Sequence, residues 1–241
     1  MEINIGPDVL QNDIAAAVPG KPVIILTTTV NVQNKVYLFQ TNRDERIHVY
    51  VKRVRKWLEE TSLPILLVEN TGHTFEELAV EKEKYKNRFE VISYKECDLP
   101  EAVYLSNDPF KGTSEIFAIQ YAYQNSGLLT QSPHDLHNFV IKITGRFYVP
   151  DLENYLRKNL TGSTDVLVQN RKDRCEMVGC HRDLFYQVFS TQLLDENAMP
   201  TGNVEDVYKY RCSIYKNVLH CPQFYIEPTQ RGGINEVFYN I

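Results

Sequence analysis

Three continuous apolar runs, separated by segments with helical spacing, constrain the fold of this chain more than any other feature. Pro22-Val23-Ile24-Ile25-Leu26 ends in Thr27-Thr28-Thr29. Leu63-Pro64-Ile65-Leu66-Leu67-Val68 ends in Glu69-Asn70-Thr71-Gly72, and Arg88 to Tyr94 forms a third run rich in β-formers. A strand that is apolar at every position has both faces covered, as in a parallel sheet. Between the first two runs, Ile47, Tyr50, Val51, Val54 and Leu58 recur at helical spacing, with Lys52, Arg53, Arg55 and Lys56 among them. That is an amphipathic helix. A polar helix from about Phe75 to Lys86 separates the second run from the third. The β-α-β-α-β order predicts a doubly wound, mainly parallel sheet flanked by helices. In such sheets ligands sit beyond the carboxyl ends of the strands. Two polar strand ends, Thr27 to Thr29 and Glu69-Asn70, point toward that crevice, although any strand must end in something polar.

Further along, Ile116, Ile119, Ala122 and Tyr123 form a helical stripe after Gly112, with Thr113 or Ser114 as cap. Phe139 to Ile143 reads as a fourth strand running into Thr144-Gly145-Arg146. Val166 to Val168 and Glu176 to Val178 read as shorter strands, Leu184 to Leu194 and Val204 to Tyr215 as helices, and Val218 to Ile226 as a mixed strand segment. At 241 residues the chain fits one large α/β domain. No repeat or linker divides it, and residues 1–20 read as a loosely attached arm ahead of a domain spanning 21–241.

Composition excludes several classes. The net charge is −5 and no long basic run occurs, so nucleic-acid binding has no footprint here. No apolar stretch reaches the ~18 residues a membrane helix needs, and the start lacks the pattern of a signal peptide. Five irregularly spaced cysteines fit free thiols in a reducing, cytoplasmic setting better than a disulfide framework. The sequon Asn159-Leu160-Thr161 has no export signal to support it. Fifteen Tyr and 11 Phe suit sugar stacking and core packing equally.

The fourth strand carries the strongest chemical signal. A lysine inside a buried apolar strand is costly unless paired or functional. Thr144 shares its face, and Gly145 lets the backbone before Arg146 approach a ligand closely. Lys142 and Arg146 at a strand end suit a phosphate or pyrophosphate, or else form a structural ion pair. Other clusters read more blandly. Arg171-Lys172-Asp173-Arg174 fits a solvated loop. His134 and His137 have no third ligand nearby, and Cys175, Cys180 and His181 lack a Cys-x2-Cys pair, so neither group reads as a zinc site. Arg231-Gly232-Gly233 fits either a loop that closes over a ligand or an ordinary tail.

Taken in order, these segments resemble a GT-A glycosyltransferase over roughly Lys21 to Tyr215. The matching pieces are the first strand ending in small polar residues, the second ending at Glu69-Asn70 and the helix opening Lys111-Gly112-Thr113-Ser114. The strand Phe139 to Arg146 and the acidic pair Glu205-Asp206 opening a helix complete the order. The resemblance implies a single GT-A-like (Rossmann-like) domain, with a donor-binding half at about 21–146 and an acceptor-binding half at about 147–241. It implies that Thr27, Thr28, Thr29, Glu69 and Asn70 hold the nucleoside of a UDP- or GDP-sugar, with Lys111, Lys142, Thr144 and Arg146 around its diphosphate. Glu205 or Asp206 would be the base of an inverting transfer to a glycan or other hydroxyl acceptor, and His181, Arg182 and Asp183 would contact that acceptor. A positioned carboxylate helps because a sugar hydroxyl is a poor nucleophile. GT-A enzymes usually bind a divalent metal, Mn or Mg, through Asp-x-Asp at the end of the fourth strand. This chain has Lys142-Ile143-Thr144 there and no Asp-x-Asp anywhere. The implied enzyme is then metal-independent, with cationic side chains serving the leaving group. The alternative is a metal held atypically by Glu205, Asp206 or Asp151. A sugar nucleotidyltransferase would want glycine in Thr27 to Asn31, where there is none. A nucleotide-sugar- or glycan-binding module without turnover is the remaining alternative.

Overall fold

The three apolar runs and the fourth strand form the centre of one sheet. A computed structural model describes residues 20–32, 35, 36, 38–130, 138–170, 175–194, 197, 199 and 203–241. Residues 1–19 of the arm, His134 and His137, and the basic cluster 171–174 lie outside them. Strands β1 (Val23–Thr28), β2 (Ile65–Glu69), β3 (Phe89–Ser93) and β4 (Phe139–Thr144) are joined by β5 (Val166–Val168), β6 (Met177–His181) and β7 (Val218–His220). The spatial order is β3-β2-β1-β4-β6-β5-β7. All strands run parallel except β6, which is antiparallel to both β4 and β5. The chain is thus a single α/β domain built on a seven-stranded, mainly parallel sheet, and both halves of the sequence contribute to that sheet.

Helices cover both faces. On one face α1 (Arg43–Glu60) and α5 (Leu152–Asn159) bury Tyr50, Val54, Trp57, Leu152 and Leu156 against Ile24, Leu26, Ile141 and Ile143. On the other, α3 (Lys111–Asn125), α6 (Phe185–Val188) and α7 (Val204–Ser213) bury Ile116, Ile119, Phe185 and Tyr208 against Ile25, Leu66 and Val140. Two short helices, α2 (Ala79–Lys84) and α4 (Gly127–Thr130), complete the set. A separate hairpin of β8 (Tyr225–Gln230) and β9 (Val237–Asn240) packs on the α1 face.

Four elements differ from the sequence reading. The helix expected over Leu184 to Leu194 ends at Val188, because Arg211 of α7 donates to the carbonyl oxygens of Val188, Ser190 and Gln192 and satisfies the unwound segment. The strand expected over Val218 to Ile226 is two strands in different sheets, separated at Pro222, which cannot donate to a ladder. The polar helix from Phe75 begins with a 3-10 turn, since Phe75 holds a left-handed φ of 52°. The helix after Phe110 starts at Lys111, ahead of the expected Thr113 or Ser114 cap.

Candidate functional site

The order in which strands are added reverses between the parallel neighbours β1 and β4: β2 and β3 lie on one side, β6, β5 and β7 on the other. This is the switch point, where two connections leave in opposite directions and open a crevice at the strands' carboxyl ends. A cleft of about 900 Å³, open mouth included, occupies that place. Its floor is Thr27, Thr28 and Thr144 from the strand ends. Its walls are Arg46 and Tyr50 of α1, Lys111, Gly112, Ser114 and Glu115 at the start of α3, and Val204 and Glu205 at the start of α7. Its roof is Arg231, Gly232 and Gly233 from the β8–β9 turn.

Close packing of backbone builds the floor. Thr27 pairs in register with Thr144, and the Gly145 N–H donates to the Thr27 carbonyl oxygen at 2.9 Å. A Cβ on Gly145 would lie 2.5 Å from Thr28 Cγ2 and 2.8 Å from Thr27 O, so only glycine fits. The next residue, Arg146, is thereby held at the cleft. Gly232 lies so near its guanidinium that a Cβ there would sit 2.4 Å from an Nη atom. Arg53 ties this corner together: it donates to the Arg146 carbonyl at 3.1 Å, to Glu227 at 2.5 Å and to Thr229 at 3.0 Å.

The buried lysine of β4 is paired. Lys142, 2% exposed, lies 2.7 Å from Glu115 of α3 and 5.7 Å from the centre of the Tyr208 ring. Burial opposes its charge, but Glu115 and Glu176 outweigh that and raise its pKa. Glu176, at the start of β6, accepts from the Thr144 hydroxyl at 2.8 Å. Burial alone would push its pKa up; Arg146, Lys142, the Thr144 bond and Arg231 reverse this and lower it. Glu205 behaves oppositely: burial and then the Glu176 charge raise its pKa despite Lys142. Its carboxylate makes no hydrogen bond or ion pair among the described residues, nor do the charged groups of Lys111, Arg146 and Arg231. Desolvation and the neighbouring Arg146 lower the Lys111 pKa. Arg46, 3% exposed, spends its guanidinium on Thr29 O, Gln40 O and Tyr50 Oη, with no carboxylate partner among the described residues. Both α3 and α7 present first turns without a side-chain cap bond, and free N–H groups at a helix start favour an anion.

Most of the expected site residues converge here: Thr27, Thr28, Thr29, Asn70, Lys111, Lys142, Thr144, Arg146 and Glu205 line the cleft. Five residues sit elsewhere or do other work. Glu69 is fully buried and its carboxylate accepts the N–H groups of Val30, Thr71 and His73 and the Thr71 hydroxyl, which shapes its own loop. Asp206 is two-thirds exposed on the outer side of α7, beside Asn203 and Lys209. His181, Arg182 and Asp183 lie at the opposite end of the sheet, because β6 is antiparallel and His181 pairs with Phe139. Five strand positions from Thr144 correspond to about 17 Å. Sequence reasoning missed Glu115, Glu176 and Arg46, none of which carries a local signal. Arg231, beside two glycines, was read as part of a loop that closes over a ligand or of a tail, and it lines the cleft.

Two of the three carboxylates that line the cleft are already engaged. Glu115 is committed to Lys142 and Glu176 to Thr144 among surrounding cations. No group of three His, Cys, Asp or Glu side chains suited to a metal occurs among the described residues. Also among them, no helix is long and apolar enough to cross a membrane.

No family model matches the chain, and no curated protein matches it. Among solved structures, the fold is similar to that of a protein assigned as a nucleotide-diphospho-sugar transferase from Desulfovibrio desulfuricans G20. That likeness has 14% identity and a TM-score of 0.46, and covers 84% of this chain and 80% of that one. A cytidylyltransferase from Leptospira borgpetersenii serovar Hardjo-bovis is similar at 10% identity and a TM-score of 0.40, over 84% of this chain and 76% of that one.

Proposed function

We propose that the chain is a nucleotide-sugar-dependent glycosyltransferase that works without a metal. The observation that carries this reading is the pairing, in one cleft at the switch point, of three cationic groups that form no hydrogen bond or ion pair among the described residues with one carboxylate of raised pKa that likewise forms none there. Lys111, Arg146 and Arg231 bind the diphosphate, supported by the two helix starts and by buried Lys142 and Arg46. The nucleoside lies toward Thr27 to Thr29 and Asn70. Glu205 accepts the proton of the attacking acceptor hydroxyl as the new glycosidic bond forms. The bond from the anomeric carbon to the diphosphate breaks, and its electrons leave on the nucleoside diphosphate, whose growing negative charge the cations stabilise. The turn Arg231 to Gly233 covers the donor and limits its hydrolysis. Asp206 takes no part, and the acceptor is a glycan or other hydroxyl compound.

The test is thermal unfolding with a panel of UDP- and GDP-sugars in the presence of chelator. A rise in Tm that grows with donor concentration is expected. No shift with any nucleotide would contradict the reading. A shift without transfer to any hydroxyl acceptor would favour a binding module.

A further inference from the structure

Asn70 stands where two cavities meet: the main cleft and a neighbouring one, which share Thr29, Lys35 and Asn70 and of which the second also holds Glu96. It is 3% exposed. Its Nδ2 donates to Glu96 Oε1 at 2.6 Å. Glu96 is itself buried, and its other oxygen lies 3.6 Å from Lys35 Nζ. Lys35 is locked in turn, donating to Leu105 O at 2.7 Å, Asp108 O at 2.9 Å and Ser114 Oγ at 2.8 Å. A carboxylate only accepts hydrogen bonds. The amide nitrogen of Asn70 must therefore face Glu96, which turns its carbonyl oxygen away from Glu96. That oxygen is buried and has no hydrogen-bond partner among the described residues. Orphaned buried acceptors are rare and costly, and call for an explanation. The Thr27 hydroxyl, in the floor of the main cleft, is likewise orphaned among the described residues, but a hydroxyl donates or accepts as required and so discriminates nothing.

Resting on the nucleotide reading above, we propose that Asn70 selects donors whose base carries a ring N–H, uracil or guanine, and that the Lys35–Glu96 pair enforces this choice by fixing the Asn70 amide. Uracil N3–H and guanine N1–H donate to the waiting oxygen. Cytosine N3 and adenine N1 place a lone pair at the same position, opposite another lone pair, and leave the Asn70 oxygen unsatisfied. Uracil and cytosine have nearly the same shape, so the contrast isolates the hydrogen bond from the fit.

Calorimetric titration with UDP and with CDP tests the proposal, and GDP against ADP repeats it with purines. The expected result is a preference for UDP of about 10- to 100-fold, the cost of a buried polar group left unmatched. In Glu96→Gln the new amide can donate to Asn70 as well as accept from it, so Asn70 can turn over. The expected result is a collapse of the preference, mainly through tighter CDP binding. If that variant fails to unfold cooperatively, Asn70→Ser is expected to remove the preference by the same logic. Equal affinity of the natural chain for UDP and CDP overturns the selection but leaves the nucleotide site standing. A full preference kept in folded Glu96→Gln overturns the role of Lys35 and Glu96. Binding of neither nucleotide overturns both the proposal and the reading beneath it.

Discussion

Single residues in the cleft separate stability from function. Glu205 has a raised pKa from burial first and the Glu176 charge second, so its ionised form is disfavoured in the folded state. That contribution to stability is greatest below the ordinary carboxylate value of 4.5 and is lost as pH rises through the folded pKa. Glu205→Gln is therefore expected to leave Tm unchanged or raise it, while transfer falls by at least about 100-fold, the scale of general-base loss. Donor affinity is expected to persist. A variant with normal transfer would remove Glu205 from the mechanism. For the natural chain the rate should fall as pH drops through the raised pKa, so the acid limb of the kcat/KM profile lies above 4.5. Glu115→Gln acts in the opposite sense. It leaves the Lys142 ammonium, 2% exposed, without its 2.7 Å partner. Urea unfolding is expected to show a loss of about 3 kcal/mol, typical of a broken buried pair. A loss below about 0.5 kcal/mol, the level of ordinary surface changes, would mean that Glu176 alone holds this lysine. At this scale the sequence was partly legible. A lysine in an apolar strand announces itself, and so does a glycine before an arginine. Glu115 and Glu176 do not, because their importance comes only from facing Lys142 and Arg146 across elements far apart in the chain.

At the scale of elements, the β8–β9 hairpin decides whether the roof of the cleft stays in place. It is fastened by Glu227, which binds Lys52, Arg53 and Lys56 of α1. Hydrogen bonds from Lys52 first, then Arg53 and Lys56, lower the Glu227 pKa to about 2. The fastening is present above the ordinary value of 4.5 and is lost as pH falls from there toward 2. Because Glu227 is about one-third exposed, solvent screens the cluster, and Glu227→Gln is expected to cost only about 1 kcal/mol. The effect on the roof should be larger than that on global stability. Hydrogen exchange at the 231–236 turn is expected to quicken in the variant while the amides of β1 and β4 hold. Equal exchange at the turn would mean that Glu227 does not fasten it. Gly145→Ala tests the opposite side: its Cβ would clash with Thr28 and with the Thr27 carbonyl. A loss of about 1–3 kcal/mol is expected in urea unfolding, as for other overpacked sites. An unchanged midpoint would show that β1 yields freely there. Strand positions were legible because apolar runs of this kind suit nothing but a covered sheet. The hairpin was not, since β9 is short and its pairing with β8 depends on contacts with α1 that no local pattern encodes.

For the molecule as a whole, the order of strands matters more than any motif. The parallel β3-β2-β1-β4 block follows from alternating apolar and amphipathic segments. The single antiparallel strand β6 does not, because its three-residue neighbour β5 is too brief to show a direction. That one reversal carries His181, Arg182 and Asp183 to the far end of the sheet and brings Glu176 to the near end, so it accounts for both the displaced acceptor contacts and the missed carboxylate. The central claim is that cationic side chains, without a metal, hold a nucleoside diphosphate at the β1–β4 switch point. Titration of UDP into the chain by calorimetry in excess chelator, repeated with an Arg146→Ala, Arg231→Ala double variant, tests this most directly. The account expects saturable binding that chelator does not weaken and that the double variant loses by at least about 100-fold, since hydrogen bonds to charged groups are worth about 1.5–3 kcal/mol each. Binding that appears only when a divalent metal is added, or that survives unchanged in the double variant, would contradict it.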